Sequence, residues 1–189
     1  MPMLVRLEDR DGHLVPGRML RAEDFAGGLG EANNPDWKTV AYDEVSNQIV
    51  VPNGSIGFRW GEEGKWNLEQ RAKGGEAQLR LSQILDGHHN EVVGVDFPYF
   101  GGVATGDFVK CDHPEVLTRN IPARRVTLAD GSQALVATVF DLFCANYGLD
   151  RGLGGKWVSK DFNDDSPYTP SWAEKITGVA REKIIAVAR

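Results

Sequence analysis

Glycine or proline interrupts this chain at about one residue in six, with 22 glycines and nine prolines among 189 residues. Both are poor guests inside a helix or a central strand, so long uninterrupted elements are disfavoured from the start. What remains open is an architecture of short strands and short helices joined by many turns. Hydrophobic residues supply 41% of the chain and charged residues 25%, which allows a packed core and argues against disorder or a fibre. The expected class is α+β: short antiparallel strands and hairpins, a few short helices, and long glycine-rich loops.

The local pattern places these elements. Residues 3–7 read as a strand ended by Asp9-Arg10-Asp11-Gly12. Ala22, Phe25, Ala26 and Leu29 share one face of a short helix over 21–29, stopped by Gly30. Residues 38–42 and 48–51 are strand-like, as are 56–60, 78–81 and 92–95. Two further strands, 124–128 and 134–139, flank the hairpin dipeptide Asp130-Gly131. The period then changes: Val139, Phe140, Phe143, Cys144 and Tyr147 fit one face of a helix that Gly148 ends. Thr169-Pro170 provides an N-cap and a first helical residue for a helix over 171–176, broken at Gly178. A last helix, from near Ala180, is expected to carry Ile184, Ile185 and Ala188 inward. No repeat divides the chain, which reads as one segment, strand- and loop-rich over 1–120 and hairpin plus helical over 121–189.

Charge and cysteine content exclude several functions. A net charge of −6 has the wrong sign for a general nucleic-acid-binding surface. Cys111 and Cys144 cannot supply the four thiolates of an iron–sulfur site, nor a structural zinc site. No run of about 18 apolar residues is present to span a membrane, and no long apolar run follows Arg6 to make a signal peptide. Two reduced thiols in a cytoplasmic setting are expected.

Candidate chemistry is sparse. Cys111-Asp112-His113 groups three metal-binding types, but its spacing matches no strong zinc pattern and Pro114 favours an exposed turn. His88 and His89 point to opposite sides in an extended chain, which favours a solvated loop. His13 lies in or just after a hairpin turn. The clusters Gly27-Gly28-Leu29-Gly30, Gly101-Gly102 and Gly152-Leu153-Gly154-Gly155 lack the Lys-Ser/Thr ending of a phosphate loop, and turns are the commoner use of glycine. Glu62-Glu63 and Asp164-Asp165 read as solvated loop charges, and no Gly-x-Ser-x-Gly nucleophile pattern occurs. Arg59 beside Trp60 and Lys65 beside Trp66 can stack on a partner, although an ordered loop pinned by its own rings is the simpler reading.

Several strings resemble the catalytic alpha subunit of respiratory, membrane-bound nitrate reductase, a molybdopterin oxidoreductase. They are Val51-Pro52-Asn53-Gly54-Ser55-Ile56-Gly57-Phe58-Arg59-Trp60-Gly61, Gly64-Lys65-Trp66-Asn67-Leu68-Glu69, Phe97-Pro98-Tyr99-Phe100-Gly101-Gly102, Leu128-Ala129-Asp130-Gly131-Ser132 and Ala145-Asn146-Tyr147-Gly148-Leu149. The opening Met1-Pro2-Met3-Leu4-Val5 and the closing Tyr168-Thr169-Pro170-Ser171-Trp172-Ala173-Glu174 fit the same order.

The resemblance implies an internal segment of a much longer subunit, with Met1 an interior methionine. The parent's implied reaction is reduction of nitrate to nitrite in anaerobic respiration. Its implied cofactors are molybdenum between two molybdopterin guanine dinucleotides and a 4Fe–4S cluster held by one His and three Cys. Those ligand motifs lie upstream, so no catalytic residue and no metal ligand is carried over, and residues touching cofactor stay unassigned. The implied partners are the remainder of the alpha subunit, an iron–sulfur beta subunit and a membrane haem subunit, at the inner face of the cell membrane. The segment is then scaffold and subunit contact, inactive alone. The alternative, motivated by Arg59 to Trp66, is a standalone non-catalytic binding or assembly module.

Overall fold

A computed structural model describes residues 1–25, 38–52, 79–83, 91–99 and 115–189. The first two strands, β1 (Leu4–Arg10) and β2 (His13–Met19), turn at Asp11-Gly12, both with positive φ. β1 buries the adjacent residues Leu4 and Val5, which point to opposite faces, and this decides the layers. Val5 and Leu7 join a core with Val95, Phe97, Ile121, Ala123 and Ala137, whereas Leu4 joins Leu20, Val40, Val126 and Val136 on the other side. A strand with apolar residues on both faces needs cover on both.

The cover comes from the rest of the chain. β3 (Ala41–Asp43) and β4 (Gln48–Val50) form a two-stranded sheet. β5 (Glu91–Tyr99), β6 (Glu115–Thr127) and β7 (Gln133–Thr138) complete a five-stranded antiparallel sheet in the order β2-β1-β7-β6-β5. Its outer strands approach each other, since His13 on β2 lies 2.6 Å from the Asp96 carboxylate on β5. The sheet therefore curls towards closure. Helix α1 (Val139–Asn146) packs Leu142 and Ala145 into the core inside that curl. A 3-10 turn at Ala22–Asp24 and the residues around Val40 cover the opposite face.

Prolines sit where the sheet tolerates them. Pro16 and Pro98 occupy β2 and β5, the two outer strands. Pro122 lies inside β6, but the Asn120 amide two residues earlier points away from β5, to the Gly154 carbonyl at 3.3 Å. The strand period of two gives position 122 the same orientation, so the β5 ladder loses no donor there.

The helices end as their sequences require. Thr138 accepts a hydrogen bond from the Asp141 amide at 3.0 Å, and the first two amides of α1, Val139 and Phe140, reach the carbonyls of Met3 and Met1. Thr169 caps α2 (Pro170–Thr177) through the Trp172 amide at 3.1 Å, and Gly178 closes it with φ 71°. The final helix, α3 (Arg181–Ala188), has no fully buried side chain. Ile184 and Ile185 are only half-buried and Ala188 is exposed, so the inward stripe expected there is not formed within this chain.

Other differences follow from context. The helix expected over 21–29 is, within the described residues, a single 3-10 turn closed at Phe25. β5 extends to Tyr99, four residues past the expected end, because β6 pairs with it along its whole length. β2 was not expected as a strand, since Pro16 and Gly17 imitate a turn. Leu79 makes an isolated bridge to Asp43 in place of the strand expected over 78–81. The strand expected over 56–60 lies outside the described residues.

Near β2, Arg18 holds the Asp24 carboxylate bidentately, and the Arg21 amide adds a bond at 2.8 Å. The Arg18 hydrogen bond, aided by that amide and against partial burial, lowers the Asp24 pKa. A carboxyl with a depressed folded pKa stabilises above its unfolded value of about 4 and loses that contribution as pH falls through the folded value. Urea unfolding should therefore show a constant gap between wild type and Asp24→Asn at neutral pH, and a shrinking gap below about pH 4.

Candidate functional site

The inward face of β6 reads Leu117, Arg119, Ile121, Ala123, and all four are fully buried or nearly so. An arginine in that row must satisfy its donors internally. Arg119 does so with main-chain oxygens. Its Nη1 donates to Ala145 O at 2.8 Å and Asn146 O at 2.7 Å, its Nε to Lys156 O at 3.1 Å, and its Nη2 to Trp157 O at 3.4 Å. The first two acceptors are carbonyls at the C-terminal end of α1, where a cation also meets the negative end of the helix dipole. The ring of Tyr168 lies 5.8 Å from the guanidinium. Burial lowers the pKa of Arg119, with Tyr168 opposing; an arginine keeps its charge even so.

Glycines make this approach possible. Residues 153–157 run along the edge of β6 that β7 leaves open: Arg119 bridges Gly155, Lys156 N donates to Thr118 O at 2.8 Å, and Asn120 Nδ2 to Leu153 O at 2.8 Å. Gly155 has φ 130°, and a Cβ there would stand 2.7 Å from Arg119 Cα. Gly148 has φ 69°, and a Cβ there would meet the guanidinium at 2.8 Å and Trp157 O at 3.0 Å. The cluster Gly152-Leu153-Gly154-Gly155 is thus a packing loop against a strand and an arginine.

A second buried charge stands one turn away. Asp141, in the first turn of α1, accepts from Ser82 Oγ at 2.5 Å, Gln83 N at 2.9 Å, Thr138 Oγ1 at 2.9 Å and Arg151 Nη1 at 2.5 Å. Arg151 also donates to Ser82 Oγ. Its guanidinium lies over Phe140, 5.3 Å from the ring centre. One carboxylate therefore ties residues 82–83, the end of β7, α1 and the loop after α1 together. Gln83 beside it is fully buried, and its side-chain amide finds no partner among the described residues. Between the two clusters lies a small cleft lined by Arg119, Asn120, Asp141, Arg151 and Gly154 among others, with room for little more than a water molecule.

Most of the candidates from sequence fall elsewhere. Cys111, Asp112 and His113, His88 and His89, Gly27 to Gly30, Gly101 and Gly102, Glu62 and Glu63, and Arg59 to Trp66 lie outside the described residues. His13 is the first residue of β2, just after the turn, and joins Asp96. Asp164 and Asp165 are exposed loop charges, the first bonded to Ser159 and the second paired with Lys175. Cys144 carries a free, buried thiol whose pKa burial raises. Sequence reasoning missed Arg119 and Asp141. The signal for Arg119 was the alternation Leu117, Arg119, Ile121, Ala123, which puts one cation in an apolar row.

Arg119 and Asp141 hold elements in place; four of the five guanidinium N–H groups of Arg119 are engaged by main-chain oxygens. Over its whole length the chain is similar to nitrate reductase alpha chains. It is 55% identical over 190 residues to the respiratory nitrate reductase 2 alpha chain of Escherichia coli strain K12, 43% over 188 to the respiratory nitrate reductase alpha chain of Bradyrhizobium sp, and 33% over 190 to the nitrate reductase alpha chain of Bacillus subtilis strain 168. All of this chain is covered in each case, but only 15%, 17% and 14% of the respective relatives. No protein-family model matches.

Proposed function

We propose that this chain is one internal segment of a molybdenum-dependent respiratory nitrate reductase alpha subunit and serves there as scaffold and contact surface. The observation that carries the reading is similarity along the entire chain to alpha chains of which it spans about a seventh. The Arg119 and Asp141 clusters support it, since both join separate elements through buried charge and neither leaves an open reactive group.

The parent subunit would carry the pterin-held molybdenum and the iron–sulfur cluster, act on nitrate, and assemble with an iron–sulfur beta subunit and a membrane haem subunit at the inner face of the membrane. No residue of this segment is assigned as a ligand to either group. Among the described residues no set of three or more His, Cys, Asp or Glu side chains gathers as a metal site. No described helix is long and apolar enough to cross a membrane.

The test exchanges the segment. A chimera of the Escherichia coli alpha chain carrying these 189 residues in place of its matching stretch is expected to assemble and reduce nitrate with a reduced viologen dye. A chimera that folds with full molybdenum content but leaves nitrate untouched overturns the scaffold reading. The 189-residue chain alone is expected to bind no stoichiometric molybdenum or iron and to show no such activity.

A further inference from the structure

An aromatic strip crosses the surface beside the Arg119 cluster. Phe143 on α1 and Tyr147, the residue that caps its C-terminal end, stand four residues apart, face away from the core side held by Leu142 and Ala145 and remain 51% and 53% exposed. Their rings lie 4.8 Å apart; Tyr147 meets Tyr168 at 6.0 Å, and Tyr168 meets Trp172 of α2 at 5.4 Å. The chain also exposes Leu149, just after α1, and Ile176 and Val179, at the end of α2 and just beyond it.

Rings already ordered against one another lose little freedom when a partner covers them. A contiguous apolar face of this kind marks an interaction surface. Its occupant is constrained by length. The match of 190 residues is 15% of the Escherichia coli relative, which leaves roughly a thousand residues of that polypeptide outside it. Larger chains bury a larger share of their surface, so most of a segment's neighbours lie in its own polypeptide. The strip is aromatic and aliphatic, as the cores of permanent interfaces are, and α3 beside α2 lacks any fully buried side chain.

We infer that the strip from Phe143 through Tyr147 and Tyr168 to Trp172 is an intramolecular interface, covered by the remainder of the same alpha polypeptide and not by a second copy or another subunit. The inference rests on the segment reading above. Hydroxyl-radical footprinting read by mass spectrometry at Phe143, Tyr147 and Trp172 tests it in three samples: the 189-residue chain alone, the chimeric alpha polypeptide without other subunits, and the assembled chimeric enzyme. Oxidation is expected to fall about tenfold from the first sample to the second and to change little in the third.

Protection that appears only on assembly assigns the strip to a partner subunit and overturns the inference. Protection that grows with concentration in the isolated chain assigns it to a second copy and does the same. An active chimera with unprotected rings sinks the inference while the segment reading stands; an inactive, properly loaded chimera sinks that reading. If the chimera does not fold, hydrogen exchange in the natural Escherichia coli alpha polypeptide, over the peptides aligned with residues 139–150 and 168–180, replaces it. Exchange there as fast as in the isolated 189-residue chain overturns the inference.

Discussion

Replacing Arg119 with methionine should destabilise the chain by about 3–5 kcal/mol, one of the two largest single-residue effects expected in it. Methionine fills much of the same volume but donates nothing. The carbonyls of Ala145, Asn146, Lys156 and Trp157 would then lose their common donor inside a region that water reaches poorly. Each unsatisfied group costs on the order of 1–3 kcal/mol, reduced where the end of α1 relaxes towards solvent. For a chain of this length the melting temperature should fall by roughly 10 °C. Hydrogen exchange should rise first at the amides of Asn120 and Lys156, which join the glycine loop to β6. Arg119→Lys keeps the charge but not the planar fork, and should recover only part of the loss. A methionine variant melting within about 2 °C of wild type would remove Arg119 from the interactions that hold this junction.

The parts of the fold open to sequence reasoning were those with a local cause. Thr169-Pro170 and Gly178 bound α2 by capping chemistry that acts within four residues. Asp130-Gly131 turns the β6–β7 hairpin, with Gly131 at φ 82°. The change of period at Val139 marks the start of α1, because strand alternation gives way there to helical spacing. The α+β class followed from these pieces.

What stayed hidden has a long-range cause. β6 runs for 13 residues through Arg119, Pro122, Arg124 and Arg125, and propensity alone gives no reason to continue it. It continues because β5 pairs with residues 115–123 and β7 with residues 124–127, and because Lys156, 37 residues beyond Arg119, brings its carbonyl to that arginine. Arg124 is held similarly from afar, stacked 4.1 Å above the Tyr42 ring. On α1 the expected apolar face ran through Val139, Phe140, Phe143, Cys144 and Tyr147, but of these Cys144 alone is buried while Phe143 and Tyr147 are exposed; Asp141, Leu142 and Ala145 complete the buried side. A carboxylate takes that side only because Ser82, Gln83 and Arg151 converge on it from up to 59 residues away.

Asp141 is where that long-range cause is most exposed to experiment. Asp141→Ala should also destabilise by about 3–5 kcal/mol, because it strips the buried acceptor from four donors at once. Asp141→Asn is a sharper probe. It preserves shape and one carbonyl oxygen, yet turns an NH2 group towards either the Gln83 amide or the Arg151 guanidinium, which can only donate, and it removes the charge that faces Arg151, so it should rescue only part of the loss. The pair with Arg151 is measurable by a double-mutant cycle with Arg151→Met. Arg151 keeps some solvent contact, at 16% side-chain exposure, so its own loss should be smaller. The coupling between the two should still reach about 1–3 kcal/mol, since contacting residues of one network are not additive. Asp164→Asn serves as the internal control: an exposed loop aspartate with local partners, it should shift stability by no more than about 0.5 kcal/mol. If urea denaturation gives Asp141→Asn and Asp164→Asn the same midpoint, burial is not what distinguishes them, and Asp141 does not join α1 to residues 82–83. If the expected gap appears, the faster hydrogen exchange should concentrate at the Gln83 amide and the first turn of α1, because those are the amides that this carboxylate and its Thr138 partner hold.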